Sequence, residues 1–219
     1  MAWSVDAWRR LEGLEHGFGD RWATSPPDVR TLRQVHGRRV LGIDALGDAS
    51  EPRLEGDGIA TDRPGTSVGV WTADCVPVLL VAPAARVAAA IHCGWRGTAA
   101  GIVAAALEFL RRWNVTPGDI EAALGPSIGG CCYEVGEEVR DAFVARAGNE
   151  LGGIGFATRD GRLHLDLRSA LSEEMRELGV RRSERVGPCT SCTPDRLHSY
   201  RRSPNTGRQL SYIGWRREA

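Results

Sequence analysis

A chain of 219 residues with 28 basic and 28 acidic side chains carries a formal net charge of zero. It therefore lacks the basic footprint that a nucleic-acid backbone or an anionic membrane demands, and small neutral or locally paired ligands suit it better. Every basic residue is arginine, which excludes lysine Schiff-base chemistry and the phosphate-loop lysine.

The length suits one sizeable core and no composition break divides it, so a single domain over 1–219 is expected. No run approaches the roughly 18 apolar residues of a membrane span, and Met1 to Arg10 has no apolar stretch of signal-peptide length. The expected location is cytoplasmic, where the six cysteines would be free thiols or metal ligands rather than disulfides.

Residues 1–30 hold Gly13, Gly17, Gly19 and the Pro26-Pro27 pair among Trp3, Trp8, Phe18 and Trp22, which reads as a strand and loop packed on the main body, with His16 structural. The stretch 31–41 breaks at His36-Gly37 into two short strands around a bend. Residues 45–55, with Gly47 and Pro52, read as a loop, and 57–62 as a turn, a short strand and another turn, with Asp57 and Asp62 as turn residues.

Two apolar strands follow over 66–71 and 76–81, joined by Thr72-Ala73-Asp74-Cys75, and Pro77 places the start of the second at an edge or bulge. Residues 86–91 give the next strand. From 99 to 113, Ile102, Val103, Ala106, Leu107 and Leu110 fall on one face of an unbroken helix with Thr98 as its N-cap.

A turn over 114–119 and a strand over 120–124 lead to the glycine-rich loop 125–136 and a helix over 137–147. Asp160-Gly161 turns a hairpin, Asp166 caps a helix running to about Leu178, and 180–186 is extended. Cys189-Thr190-Ser191-Cys192 resembles half of a zinc ribbon without a second pair at matching spacing; a redox pair is the other reading. Ser199 to Arg202 and Gly207 to Trp215 read as a closing edge hairpin.

The chemistry gathers around Ile91-His92-Cys93-Gly94-Trp95-Arg96-Gly97-Thr98, where a buried strand ends and a helix begins. Such a switch leaves backbone N–H groups and side chains open at a strand's carboxyl end. His92 ends that strand, Cys75 lies on the connection one hairpin earlier and His36 occupies another bend. Two imidazoles and one thiolate complete the protein ligands of a catalytic zinc with an open fourth position, and equally match the equatorial set of a blue copper site.

Six segments occur in order across 31–215: Val35-His36-Gly37; Asp57-Gly58-Ile59-Ala60-Thr61; Thr72-Ala73-Asp74-Cys75-Val76-Pro77; Ile91 to Gly97; Leu124-Gly125-Pro126-Ser127-Ile128 with Cys132-Tyr133-Glu134-Val135-Gly136; and Ser199-Tyr200-Arg201-Arg202 with Thr206-Gly207-Arg208. Together they resemble the multicopper polyphenol oxidase-like (laccase-domain) family, also called peptidoglycan editing factors and described as purine nucleoside phosphorylases.

The resemblance implies an α+β fold of mixed sheets flanked by helices and a zinc held by His36, Cys75 and His92. It also implies phosphorolysis of adenosine, inosine, guanosine and methylthioadenosine, together with adenosine deamination. In the mechanism expected from it, zinc polarises the attacking oxygen. Asp74 moves protons or orients His92, while Arg33 and Arg96 bind phosphate unless they form structural ion pairs. Family members carry an arginine and a Gly-Gly-Val-Ser loop before the Gln-Val-His step, whereas here Phe18-Gly19-Asp20-Arg21-Trp22 runs almost directly into Pro26-Pro27. Rival readings are a copper polyphenol oxidase, a metal-free cysteine hydrolase with Cys75 as nucleophile and His92 as base, and a non-catalytic peptidoglycan editing factor.

Overall fold

The computed structural model describes residues 3–23, 28–46, 54–152 and 154–217. The loop features expected at Pro26-Pro27 and at Gly47 and Pro52 lie outside them. In chain order the elements are β1 (Leu14–Phe18), β2 (Val29–Arg30), β3 (Val40–Gly42), β4 (Gly58–Thr61), β5 (Thr66–Thr72), β6 (Val76–Ala82) and β7 (Val87–Cys93), then α1 (Trp95–Ala99), α2 (Ile102–Leu110) and β8 (Glu121–Leu124). They continue with α3 (Glu137–Gly152), β9 (Phe156–Arg159), β10 (Arg162–Leu165), α4 (Leu167–Glu177), β11 (Arg182–Arg185) and β12 (Gln209–Trp215).

A six-stranded sheet, ordered β11-β8-β6-β7-β4-β3, packs on a four-stranded sheet ordered β1-β12-β5-β2. β11 with β8, β3 with β4, and β2 with β5 are parallel pairs; the other ladders of these sheets are antiparallel. The fold is thus α+β, with mixed sheets and helices on one outer face.

Side-chain alternation explains the layering. Every residue of β6 and β7 is buried, as expected of strands covered on both faces. Val78, Leu80, Ala89 and Ile91 pack toward Ile102, Val103, Ala106 and Leu110 of α2 and Leu171 of α4. Their neighbours Leu79, Val81, Ala88 and Ala90 pack toward Val68 and Val70 of β5 and Ile213 of β12. Strand period therefore divides one continuous apolar run between two cores.

Four expectations are corrected. Pro77 does not mark an edge: β6 lies centrally between β7 and β8. The missing N–H is tolerated because the ladder with β8 begins at Val78, and Pro77 joins that side through its carbonyl, which accepts from Gly125 N at 2.9 Å.

The helix expected over 99–113 starts earlier and is interrupted. Gly101 adopts φ +87, separating α1 from α2, and Thr98 lies inside α1 with its hydroxyl donating to the Gly94 carbonyl at 3.0 Å. The closing edge hairpin does not form, because β12 pairs with β1 and β5 in the middle of its sheet. Of the two strands expected over 31–41, only Val40–Gly42 forms a strand, and the preceding segment wraps around a carboxylate described below.

The amino-terminal segment is anchored by His16, whose Nε2 accepts a hydrogen bond from Val5 N at 3.0 Å while its ring meets Trp8 edge-on at 5.0 Å. Burial lowers the pKa of His16. A depressed folded pKa means that this contribution to stability is present above the unfolded value near 6.5 and is lost as pH falls through the folded one. Unfolding free energies from urea titrations at pH 7.5 and 5.5 will therefore differ more in the wild type than in His16→Asn, by at most about 1.4 kcal/mol per pH unit. Equal differences in the two proteins would remove His16 as the cause.

Candidate metal centre and cleft

Asp57 is fully buried and immediately precedes β4. One carboxylate oxygen accepts from His36 N at 2.9 Å and His92 Nδ1 at 2.8 Å; the other accepts from Val35 N at 3.3 Å and Gly37 N at 2.7 Å. Its carbonyl also takes the His92 amide at 2.7 Å. Burial opposes ionisation of Asp57, but the bonds from His92, Gly37 and Val35 prevail and its pKa is lowered. A single ionised carboxylate thus folds the His36 loop around itself and, by engaging His92 Nδ1, leaves Nε2 as the nitrogen for Cys75 or a metal.

The three metal-ligand candidates converge. Ligand atoms of His36, Cys75 and His92 all lie within 4.8 Å of one another, and the two imidazole rings stand edge to face at 4.8 Å. His92 comes from the end of β7, Cys75 from the β5–β6 connection and His36 from a bend where its φ is +59.

The antiparallel register that sets Val76 opposite Cys93 brings Cys75 beside Gly94. A Cβ on Gly94 would stand 2.8 Å from the His36 ring and 3.2 Å from Cys75 Sγ, and one on Gly97 would stand 2.6 Å from the Gly37 carbonyl. Both glycines of Gly94-Trp95-Arg96-Gly97 therefore serve close approach of the His36 loop.

Burial disfavours the Cys75 thiolate, but hydrogen bonds from His36 and His92 outweigh it and bring the pKa down to about 6. Burial likewise opposes the His92 cation, and bonds to Asp57 and Cys75 raise its pKa to about 9. Cys75 and His92 thus favour each other's charged form, thiolate and imidazolium. With two imidazoles, one thiolate and a carboxylate behind His92, these residues form a potential metal-binding site with the donor set expected for zinc or copper.

Asp74 does not meet His92 through a hydrogen bond; that partner is Asp57. Its carboxylate instead accepts from Thr190 Oγ1 at 2.5 Å and Arg201 N at 2.6 Å, and its carbonyl accepts from Ile128 N at 2.9 Å. These bonds hold a non-glycine φ of +94, a left-handed conformation that costs about 1–3 kcal/mol and persists only where neighbours enforce it.

The histidines, Cys75 and Asp74 line a cleft of about 990 Å³. Trp71, Trp95, Tyr133 and Tyr200 offer aromatic surface to it, and Arg33, Arg96, Arg201 and Arg208 offer guanidinium groups. Arg96 stacks on Trp95 at 4.4 Å, whereas Arg33 is ion-paired with Glu55. Arg201 lies over Tyr133 at 5.1 Å, and burial pushes the Tyr133 phenol up to about 12. Sequence reasoning took Asp57 for a turn residue, whereas it is a buried acid that accepts four hydrogen bonds, and it passed over the aromatic wall. For Asp57 the available signal was a carboxylate directly ahead of an apolar strand, where a buried acid needs several donors.

The family model described as multi-copper polyphenol oxidoreductase laccase matches residues 16–216. A purine nucleoside phosphorylase of Clostridium acetobutylicum is 36% identical over 189 residues, covering 85% of this chain and 76% of that protein. An adenosine deaminase from an unknown prokaryotic organism is 39% identical over 195 residues, covering 85% and 74%. The crystal structure of YlmD from Geobacillus stearothermophilus superposes with a TM-score of 0.85 at 26% identity, covering 99% of this chain and 97% of that one. The extent of the model match and the identity of the relatives make this chain a member of the multi-copper polyphenol oxidoreductase laccase family.

Proposed function

We propose that the chain is a zinc-dependent purine nucleoside phosphorylase that also deaminates adenosine, with His36, Cys75 and His92 as the zinc ligands. The observation that carries this reading is the meeting of those three side chains on the wall of an aromatic, arginine-bearing cleft. Relatives named for phosphorolysis and for adenosine deamination support it. The reading treats residues 1–219 as one domain, supported by two hydrophobic cores that share the strands β6 and β7. It also places the protein in the cytoplasm, with nucleosides and phosphate rather than nucleic acid or membrane as partners. No helix among the described residues is long and apolar enough to cross a membrane.

Zinc held by His36, Cys75 and His92 would supply Lewis acidity toward the attacking oxygen. The rest falls to the chain. Trp71, Trp95, Tyr133 and Tyr200 offer faces on which a flat purine stacks. Arg96 presents a two-pronged cation to phosphate; Arg33 does so only by leaving Glu55. Asp74, beside Cys75 on the cleft wall, is assigned the proton transfers, and Asp57 orients His92.

A second reading, a metal-free cysteine hydrolase, has one observation in its favour: Cys75 lies against His92, a contact that lowers the thiol pKa and raises that of the imidazole. Copper in the same ligands is the third, and elemental analysis of the purified protein separates it from zinc.

Three outcomes are expected. Inosine and adenosine incubated with pure protein will release free base only when phosphate and metal are both present, and ammonia will appear from adenosine with metal irrespective of phosphate. Turnover that survives full chelation would favour the hydrolase, and no consumption of either nucleoside ends the purine reading. Asp57→Asn will weaken metal binding about 10- to 100-fold in competition with a chromophoric chelator. Unchanged affinity would show that His92 needs no such partner. Asp74→Asn will retain the metal but lower turnover by about 10²–10⁴-fold; wild-type turnover would remove Asp74 from the proton path.

A further inference from the structure

The Cys-x-x-Cys segment looked incomplete in the sequence because its second pair is not near it in the chain. In the fold, Cys131 and Cys132 of the β8–α3 loop meet Cys189 and Cys192 of the β11–β12 loop, with all four sulfurs within 4.8 Å of one another. Cys192 Sγ stands 3.7 Å from Cys131 Sγ and 3.4 Å from Cys132 Sγ. All four are free. A tetrahedron with Zn–S bonds of about 2.3 Å has sulfur edges of about 3.8 Å, so the spacing suits four thiolates around one ion. A disulfide would instead draw one pair to about 2.05 Å and leave the other two thiols adjacent without a bond.

The surroundings are built to the same end. Gly129 N donates to Cys189 Sγ at 3.2 Å, as suits an electron-rich thiolate. A Cβ on Gly129 would lie 3.3 Å from Cys131 Sγ and 3.6 Å from Cys189 Sγ, so the loop approaches the sulfurs at a residue without a side chain. Arg202 donates to the carbonyls of Thr190 and Ser191 at 2.8 and 3.1 Å, placing a positive charge against the loop between the two cysteines. That charge partly offsets the net negative charge of a divalent ion held by four thiolates.

We propose that Cys131, Cys132, Cys189 and Cys192 form a second, structural metal site that takes a thiophilic divalent ion, zinc above all, separate from the His36, Cys75 and His92 centre. Four sulfurs close the coordination shell, so this ion has no open position for substrate. Its effect is on shape. One loop supplies Ile128 and Tyr133 to the cleft and the other supplies Tyr200 and Arg201. Thr190, between the paired cysteines, holds Asp74 through its hydroxyl and meets the Ser127 carbonyl through its amide at 3.0 Å. A tetrathiolate joins these two loops, far apart in sequence, just behind the wall that faces the catalytic centre. The proposal is independent of which reaction the cleft performs.

The test is metal content per chain of protein purified after expression with zinc, together with the visible spectrum after replacement by cobalt. Wild-type protein is expected to hold two equivalents. The double variant His36→Ala/His92→Ala should hold one, whose cobalt form shows the charge-transfer intensity of four thiolates. Cys189→Ser/Cys192→Ser should also hold one, with the intensity of a single thiolate. Amide hydrogen exchange at 128–133 and 199–202 should speed up in the cysteine variant alone. A folded histidine variant that binds no metal overturns the proposal without bearing on the nucleoside reading. So does intact protein whose mass shows a disulfide among these four residues, or a cysteine variant that keeps both equivalents. If the cysteine variant does not fold, the histidine variant's metal content and cobalt spectrum still decide the matter.

Discussion

The Asp57 carboxylate is the interaction on which the candidate centre depends. Fully buried, it takes four hydrogen bonds, three from the consecutive amides of Val35, His36 and Gly37 and one from His92 Nδ1. An ionised acid in an apolar interior is tolerable only with such a complement of donors. The two imidazoles cannot be placed independently, because the oxygen that fixes the His92 ring also accepts the His36 amide. The left-handed φ of +59 at His36 is the local cost of closing that loop around the acid.

The surrounding architecture delivers the remaining parts to the same point. β6 and β7 form the shared layer of two cores, and their antiparallel register brings the residue before β6 next to the residue after β7, Cys75 beside Gly94. The turn that carries Cys75 also carries Asp74, whose unusual backbone is secured by Thr190, Arg201 and Ile128. Centre and cleft wall are therefore coupled through adjacent residues. Zinc at His36, Cys75 and His92 would complete the floor, and a tetrathiolate ion would brace the wall from behind.

The pairing of Cys75 with His92 also carries chemistry of its own. Cys75 and His92 stabilise each other's charged forms. That thiolate is the state a metal needs and also the state a nucleophilic cysteine needs. What tips the reading toward a metal is the third member. His36 approaches the same point from a separate loop, and Gly94 leaves room for its ring, an arrangement that a two-residue thiolate and imidazolium catalyst does not require.

Much of this was legible in the residues alone. Apolar runs of strand length at 66–71, 76–81 and 86–91 gave strands, Asp160-Gly161 gave a hairpin turn, and Asp166 capped a helix through Ser169 N, because each depends on contacts a few residues apart. The change of period at His92 pointed to the site for the same local reason. Neighbours distant in sequence decided the rest. Only the sheet order made Pro77 part of a central strand and β12 the middle of its sheet. Only packing revealed that Asp57, not Asp74, bonds His92 and that Arg33 is occupied by Glu55. The two cysteine pairs, separated by 57 to 61 positions in the chain, meet only once β8 and β11 lie side by side in the sheet. Periodicity reports which face of an element is apolar, whereas the partner of a buried charge or thiol is set by how the elements close on one another.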